Sequence, residues 1–440
     1  MAGVINRVSI VVAALLLLAL VAAVVLFCRP GADKPPNVVL ITVDTLRPDR
    51  LGYNGHSRPT SPAVDALAGE GIVFTDCYSV SGWTLPSLAT LFTGRYPSDH
   101  GATDFHWSMD VVLPTMAGIL RRRGYDTRGF VSHVILKPSY GVAEGFSQYD
   151  YSSLNVGHPH DVATARQLTD LALASIETID EPFFLWVHYF DPHFKYLPHA
   201  RWHSFGLADI DRYDQEIAHT DSEIARLLAL LRKKKLYDDT VIIFTSDHGE
   251  EFGEHGAKYH YTLYEEVLRV PLIIKVPGAE PAVKRMRVEQ IDLLPTVMAL
   301  VQIDPREGEV FPGRNILATP PGAEERPAFF ERDRPPPYNQ RGILYDGYKL
   351  VFIERADSTR IPATSQGTYV KITNVHPGIY MYDLSKDPAE RTNIYSDSNP
   401  KAKELLVMLA EHFSTEPARA QEVRVDDTLR EKLRSLGYIQ

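Results

Sequence analysis

Four short apolar runs set the pattern of the chain: Asn37-Val38-Val39-Leu40-Ile41-Thr42-Val43, Phe183-Phe184-Leu185-Trp186-Val187-His188, Thr240-Val241-Ile242-Ile243-Phe244-Thr245 and Val270-Pro271-Leu272-Ile273-Ile274. Runs with almost no polar alternation predict strands covered on both faces. The first three end in or just before polar, metal-competent residues: Asp44, His188, and Asp247 with His248. Between the strands the spacing changes to that of a helix face, as at Ile217, Ile224, Leu228 and Leu231. Residues 113–123 and 160–179 read the same way. Strands alternating with helices predict an α/β fold, with a doubly wound, mainly parallel central sheet flanked by helices. In such sheets ligands bind at the carboxyl ends of the strands, where these acids and histidines fall.

A fifth apolar run is of another kind. Residues 8–27 are apolar except for Ser9, and roughly twenty such residues span a bilayer. The reading is a transmembrane anchor over 8–28, after a short tail at 1–7 and before a linker at 29–36. A cleaved signal peptide is the competing reading. Against it, Val24-Val25-Leu26-Phe27 precede Cys28 and offer no small-x-small cleavage site. The catalytic domain is expected over 37–320. A proline-rich passage at 306–340 leads into a small C-terminal α+β subdomain and tail, assigned to 321–440. It contains the strand-like pieces Gly342-Ile343-Leu344-Tyr345 and Lys349-Leu350-Val351-Phe352-Ile353 and a helical stretch at 402–413.

The formal net charge of -10 argues against nucleic acid as a partner. The basic runs Arg121-Arg122-Arg123 and Lys233-Lys234-Lys235 each close a helical stretch, where cations complement the carbonyl end. Of the two cysteines, Cys28 ends the apolar run, so no structural disulfide with Cys77 is expected. Oligomeric state is not encoded in any pattern read here.

Thr245-Ser246-Asp247-His248-Gly249-Glu250 offers a carboxylate and an imidazole to a divalent cation directly after a strand. Asp44, at the end of another strand, would complete a partial shell with room for a nucleophile and a substrate. A further stretch, Gly82-Trp83-Thr84-Leu85-Pro86-Ser87-Leu88-Ala89-Thr90-Leu91-Phe92-Thr93-Gly94-Arg95, resembles the signature of the sulfatase family within the alkaline phosphatase superfamily. Pro86, Gly94 and Arg95 match that signature. Thr84 stands at the modifiable cysteine, and Leu88 replaces the signature arginine. The resemblance continues in order over roughly 350 residues. Val43-Asp44-Thr45-Leu46-Arg47-Pro48-Asp49 resembles the first metal motif and His188-Tyr189-Phe190-Asp191-Pro192-His193 the substrate-histidine motif. Gly253-Glu254-His255-Gly256 and Leu263-Tyr264-Glu265-Glu266 resemble segments after the second metal motif. Tyr382-Asp383-Leu384, Asp387-Pro388, Glu390 and Asn393 resemble the C-terminal subdomain. The Lys-Trp-His segment of the family is replaced by Val131-Ser132-His133-Val134, and an expected lysine by His260.

The resemblance implies an alkaline phosphatase-like fold and metal-dependent hydrolysis of a sulfate or phosphorus ester outside the cytoplasm. It implies one divalent metal held by Asp44, Thr84, Asp247 and His248. A lone imidazole among oxygens points to manganese or zinc ahead of calcium or magnesium, with a second metal as an open alternative. Formylglycine arises from cysteine or serine, so Thr84 is expected to act as an unmodified nucleophile. A threonine here resembles related phosphodiesterases, phosphonate hydrolases and transferases. Thr84 could also act simply as a helix N-cap. His193 and His260 are the expected contacts to substrate oxygens or the leaving group, and Arg95 the support of the nucleophile's helix. His188, Asp191 and His255 are expected to bind substrate, His188 and Asp191 having a second metal as their alternative. The expected substrate is a small-molecule, glycan or lipid ester, with phosphodiester or phosphonate ester favoured. A transferase acting on a lipid or glycan, and an inactive binding protein, are the alternatives.

Overall fold

The structure, a computed structural model, describes residues 34–104, 107–110, 112–155, 162–305, 310–320, 322–333, 338–355, 376–414 and 421–422. The anchor expected at 8–27 lies outside them. Among the described residues no helix is long and apolar enough to cross a membrane.

An eight-stranded sheet organises the chain. Its strands are β1 Asn37–Val43, β2 Ile72–Tyr78, β3 Asp126–Val131, β4 Gln148–Asp150, β5 Phe183–Tyr189, β6 Thr240–Ser246, β7 Arg269–Lys275 and β8 Ala282–Glu289. They lie in the order β8-β2-β7-β6-β1-β5-β3-β4. Only β7 is reversed, running antiparallel to both β2 and β6. The sheet is therefore mixed, with its parallel part as the apolar runs predict. Every residue of β1, β5 and β6 is buried. Alternate residues supply opposite faces: Val38, Leu40, Phe184, Trp186, Val241 and Ile243 one core, and Val39, Ile41, Leu185, Val187, Ile242 and Phe244 the other. Helices Thr84–Thr93, Met116–Arg122 and Leu293–Leu300 cover the first face. Helices Pro62–Glu70, Ala165–Ile176 and Asp209–Lys233 cover the second, the last through Ile217, Ile224, Leu228 and Leu231.

A second, four-stranded antiparallel sheet follows: β9 Ala328–Arg332, β10 Tyr338–Tyr345, β11 Tyr348–Arg355 and β12 Gly378–Asp383. Helix Pro400–His412 covers one face through Ala402, Leu405 and Leu409. The other face packs on the main body through Phe330, Leu344 and Val351 against Tyr78, Leu263 and Leu268. The described residues from 36 onward form one compact unit.

Candidate active site

Register places the site. On β1, Thr42 sits between His188 of β5 and Thr245 of β6, and Val43 between Tyr189 and Ser246. On β3, Val131 pairs with His188. Asp44, His188, Asp247 with His248, and His133 thus emerge at the carboxyl ends of four adjacent parallel strands. The loop after β1 is strained to bring this about: Thr45 has a φ of 55°, a genuine outlier for a β-branched residue. Its N–H donates to Asp247 Oδ1 at 3.2 Å and its carbonyl accepts from Tyr213 Oη at 2.6 Å, which together hold the strained turn.

Thr84 opens the helix Thr84–Thr93 but does not cap it; Trp83 is the N-cap residue and no side chain fills that role. The Thr84 hydroxyl instead lies 3.3 Å from His248 Nε2. The N-cap reading of Thr84 is therefore corrected. His248 Nδ1 is 2.9 Å from the Gly249 carbonyl, which can only accept. That bond fixes the Nδ1–H tautomer and leaves the Nε2 lone pair facing Thr84. The same Nε2 is 3.4 Å from Asp247 Oδ2 and 3.8 Å from Asp44 Oδ1. His188 Nε2 stands 3.5 Å from Asp44 Oδ2. Asp44, His188 and Asp247 each offer a ligand atom within 4.8 Å of the others.

The donor set fits a divalent cation. Both oxygens of Asp44, Asp247 Oδ2 and His188 Nε2 are buried with no hydrogen-bond partner. Buried carboxylates left unsatisfied are costly unless a cation meets them. Burial, then the charges of Asp247 and Glu250, pushes Asp44 well above the usual carboxylate range. Burial lowers His188 to about 4. It also lowers His248, against the pull of Asp247. Near neutral pH these imidazoles are lone-pair donors, as ligation requires.

Further imidazoles complete the rim. The His260 ring is 4.6 Å from that of His248 and 5.2 Å from that of His193. His260 Nδ1 lies 3.1 Å from Glu250 Oε1, and its Nε2 has no hydrogen-bond partner. His193 Nδ1 donates to the Phe194 carbonyl at 2.7 Å. Burial, then His248 and His193, holds His260 well below the ordinary histidine value.

The remaining expected site residues lie in other settings. Asp191 Oδ2 accepts from Thr164 Oγ1 at 2.8 Å, at the start of helix Ala165–Ile176. His255 stacks on Tyr264 at 3.6 Å and faces Glu266 at 3.3 Å. It lines a cavity of about 130 Å³ with Leu263, Tyr380 and Tyr382. Arg95 follows the far end of the Thr84 helix, with its guanidinium over Phe311.

Three residues escaped the sequence reading. His133 Nε2 is 3.6 Å from Asp44 Oδ2, and its Nδ1 accepts from the Ile135 N–H at 3.2 Å, so the proton of the neutral ring faces the site. Gln290 donates to the Ser246 and Asp247 carbonyls at 2.9 and 2.6 Å, while its Oε1 lies 3.1 Å from Ser79 Oγ. It ties the loop carrying Asp247 to the turn before Thr84. Arg332 Nη1 donates to the Gly82 carbonyl at 2.7 Å. The placement of His133 directly after a strand was a usable signal. Gln290 and Arg332 had none, because only folding brings β8 and β9 to this turn.

Comparison with known proteins agrees with this geometry. The sulfatase family model matches residues 36–303, and a model described as N-sulphoglucosamine sulphohydrolase, C-terminal, matches residues 253–418. The uncharacterized sulfatase YidJ of Escherichia coli (strain K12) is 26% identical over 83% of this chain and 84% of its own length. Human arylsulfatase A is 26% identical over 82% of this chain and 83% of its own. Among solved structures, the phosphonate monoester hydrolase of Agrobacterium radiobacter has a TM-score of 0.68 at 22% identity, covering 86% of this chain and 96% of that one. A protein solved with its substrate D-glucosamine-2-N,6-O-disulfate also has a TM-score of 0.68, at 20% identity, covering 86% and 97%. These structural likenesses speak for the fold; the family follows from a sequence match that takes in well over half of the chain: the protein belongs to the sulfatase family.

Proposed function

We propose that this protein hydrolyses a singly charged ester of phosphorus or sulfur, with unmodified Thr84 as nucleophile, and that phosphodiesters or phosphonate monoesters lead sulfate monoesters. The observation that carries the reading is the Thr84 hydroxyl, 3.3 Å from the His248 Nε2 lone pair, beside two buried carboxylates with unpartnered oxygens. Asp44, Asp247, His248 and Thr84 would hold one divalent cation, with His188 within reach of the same carboxylates. Bound there, a manganese or zinc ion would lower the pKa of the Thr84 hydroxyl and stabilise charge on the ester. Thr84 Oγ, its proton given up to water, bonds to phosphorus or sulfur as the ester bond to the leaving oxygen breaks. His193 and His260 line the departure side, where either ring, protonated at Nε2, would give the leaving oxygen its proton. Water then cleaves the Thr84 ester and returns the hydroxyl. Relatives named as sulfatases and solved phosphonate monoester hydrolases support this range of esters.

Charge supports the preference for monoanions. The two site carboxylates offset a divalent cation, and Leu88, Ser132 and His260 stand where sulfatase-like sites usually carry basic groups, so little fixed positive charge is left to meet the ester. A dianionic phosphate monoester would exceed it in a pocket shielded from water. A threonine ester must be reopened by attack at phosphorus or sulfur, unlike a formylglycine hemiacetal, and this ranks phosphorus esters ahead. The test is kcat/KM for a matched aryl phosphodiester, aryl sulfate and aryl phosphate at one pH and one metal. The diester should lead; a clear lead for the sulfate would overturn the ranking. We propose further that residues 8–27 anchor the protein with this domain outside the cytoplasm. Resistance to alkaline extraction checks this, and a soluble mature chain beginning after residue 32 would contradict it.

A further inference from the structure

The cation-binding loop and the nucleophile reach the site from separate parts of the chain, the loop from the end of β6 and Thr84 from the turn after β2. A buried amide joins them. Gln290 directly follows β8 and is fully buried. Its Nε2 donates to the Ser246 carbonyl at 2.9 Å and to the Asp247 carbonyl at 2.6 Å. Carbonyl oxygens only accept, so both amide hydrogens are committed and the amide cannot be reversed. Its Oε1 therefore faces Ser79 Oγ, at 3.1 Å. Ser79 Oγ also lies 2.7 Å from the Ser81 carbonyl and 2.9 Å from Ser87 Oγ. Ser87 Oγ is itself 2.9 Å from the Ser81 carbonyl. One arrangement of protons serves every acceptor: Ser87 donates to the Ser81 carbonyl, and Ser79 to Gln290 Oε1. Ser87 lies about one turn beyond Thr84 on the same helix. The amide is also held from behind. Glu289 and Asp292, on either side of Gln290, each meet Arg326 at 2.9 Å, and Asp292 Oδ2 accepts from the Glu289 N–H at 3.0 Å.

We propose that Gln290 is a positioning residue of this active site, its amide holding the Thr84 hydroxyl in line with the cation-binding loop. This role rests on the Thr84 reading and deepens it. The amide acts through the backbone of Ser246 and Asp247 on one side, and through Ser79 and Ser87 on the other. The 3.3 Å contact of Thr84 Oγ with His248 Nε2 spans the same two segments. A slip between them therefore moves the nucleophile relative to its cation. A displacement of about 1 Å at a reacting group costs on the order of 10² in rate, and partners behind metal ligands are worth about 10- to 100-fold. A carboxylate in place of the amide would set an oxygen against the Ser246 and Asp247 carbonyls. An apolar side chain would take this donor away from both.

The rival role is a structural tie that stabilises the fold and leaves the chemistry alone. Gln290→Met keeps the length without the hydrogen bonds, Gln290→Glu keeps the shape without the donors, and Ser79→Ala cuts only the link to Oε1. Each full-length variant is assayed with an aryl phosphodiester, its thermal unfolding is followed, and the visible absorption of its Co(II)-loaded form reports the ligand geometry. Gln290→Met and Gln290→Glu should lower kcat about 10- to 100-fold with KM little changed, and should shift the Co(II) spectrum. Ser79→Ala should lower kcat less, and adding it to Gln290→Met should cost nothing more, because both break one connection. A lower melting temperature with kcat, KM and the Co(II) spectrum of the folded protein unchanged would make Gln290 a structural tie and overturn the proposal. If neither Gln290 variant folds, Ser79→Ala carries the test: its kcat should fall at constant KM, and a parental kcat would contradict the role. Thr84→Ala is run alongside. Wild-type turnover in that variant would sink the nucleophile reading itself, whereas its inactivity beside a fully active Gln290→Met would sink only this inference.

Discussion

Two carboxylate clusters of this protein are neutralised in opposite ways. Near the second sheet, Glu265 and Glu390 surround Lys349, whose ammonium is fully buried at 3.2 and 2.9 Å from their oxygens. Burial there opposes the charged ammonium, but Glu390 and Glu265 outweigh it and raise the lysine above its ordinary value. At the strand ends, Asp44 and Asp247 lie instead against imidazoles, two of which, His188 and His248, burial lowers below the ordinary histidine value. The first cluster carries its own counter-ion and acts as a structural tie. The second is built to take its cation from solution. His255, Glu266 and Glu390 also come close enough to be considered as a metal site, but an ammonium already 2.9 Å from Glu390 repels a second cation.

The largest contrast is expected at Thr84. Thr84→Ala should cut turnover at least about 10³-fold, since it deletes the group that forms the covalent bond, while Thr84→Ser retains part of the rate. Neither should change the melting temperature by more than a few degrees, because the hydroxyl caps nothing. Steady-state kinetics with thermal denaturation check both points, and ordinary threonine should appear in intact-peptide mass spectra.

Lys349→Met should do the reverse. Removing one partner of a fully buried ion pair leaves Glu390 and Glu265 uncompensated and should cost about 3–5 kcal/mol of stability. The bound metal and the kcat/KM of the folded fraction should stay near those of the parent. Denaturant unfolding with elemental analysis measures both, and loss of metal without loss of stability would erase the distinction between the clusters.

The smallest effect is one of pH. The raised Asp44 binds its proton more tightly folded than unfolded, so its contribution to apo-protein stability is present at low pH and is lost as pH rises toward its folded value. The lowered His188 and His248 have the opposite slope, but they are neutral in both states above about pH 6.5 and add nothing there. A chelator should therefore lower the melting temperature more at about pH 8 than at about pH 6.5, because the cation relieves a charge that is unfavourable only once Asp44 ionises. An equal or smaller decrease at the higher pH would argue against Asp44 as a ligand.

The parallel core was legible because strands covered on both faces need uninterrupted apolar runs, and β1, β5 and β6 have them. β8 was not, because an edge strand such as Ala-Val-Lys-Arg-Met-Arg-Val-Glu faces water over half its length and carries no such run. β2 mixes buried and half-buried positions without period. At the site, Asp44, Asp247 and His248 were readable since each directly follows a strand. Thr84 reads as the nucleophile with a helix cap as its alternative; Trp83 takes the N-cap position, and the Thr84 hydroxyl faces His248 Nε2. Leu88 and His260 stand where the family carries basic residues, whereas Arg332, which lies 250 residues from its Gly82 partner, gives no sign in the sequence of lying beside the turn before Thr84.

The account stands or falls on whether the strand-end cluster binds a cation from solution. The direct measurement is the metal content of purified wild-type protein, Asp247→Ala and His248→Ala, by elemental analysis after dialysis, with circular dichroism to verify the fold. The account predicts about one manganese or zinc per wild-type chain and a marked loss in both variants; full retention of metal in both, with the fold intact, would contradict it.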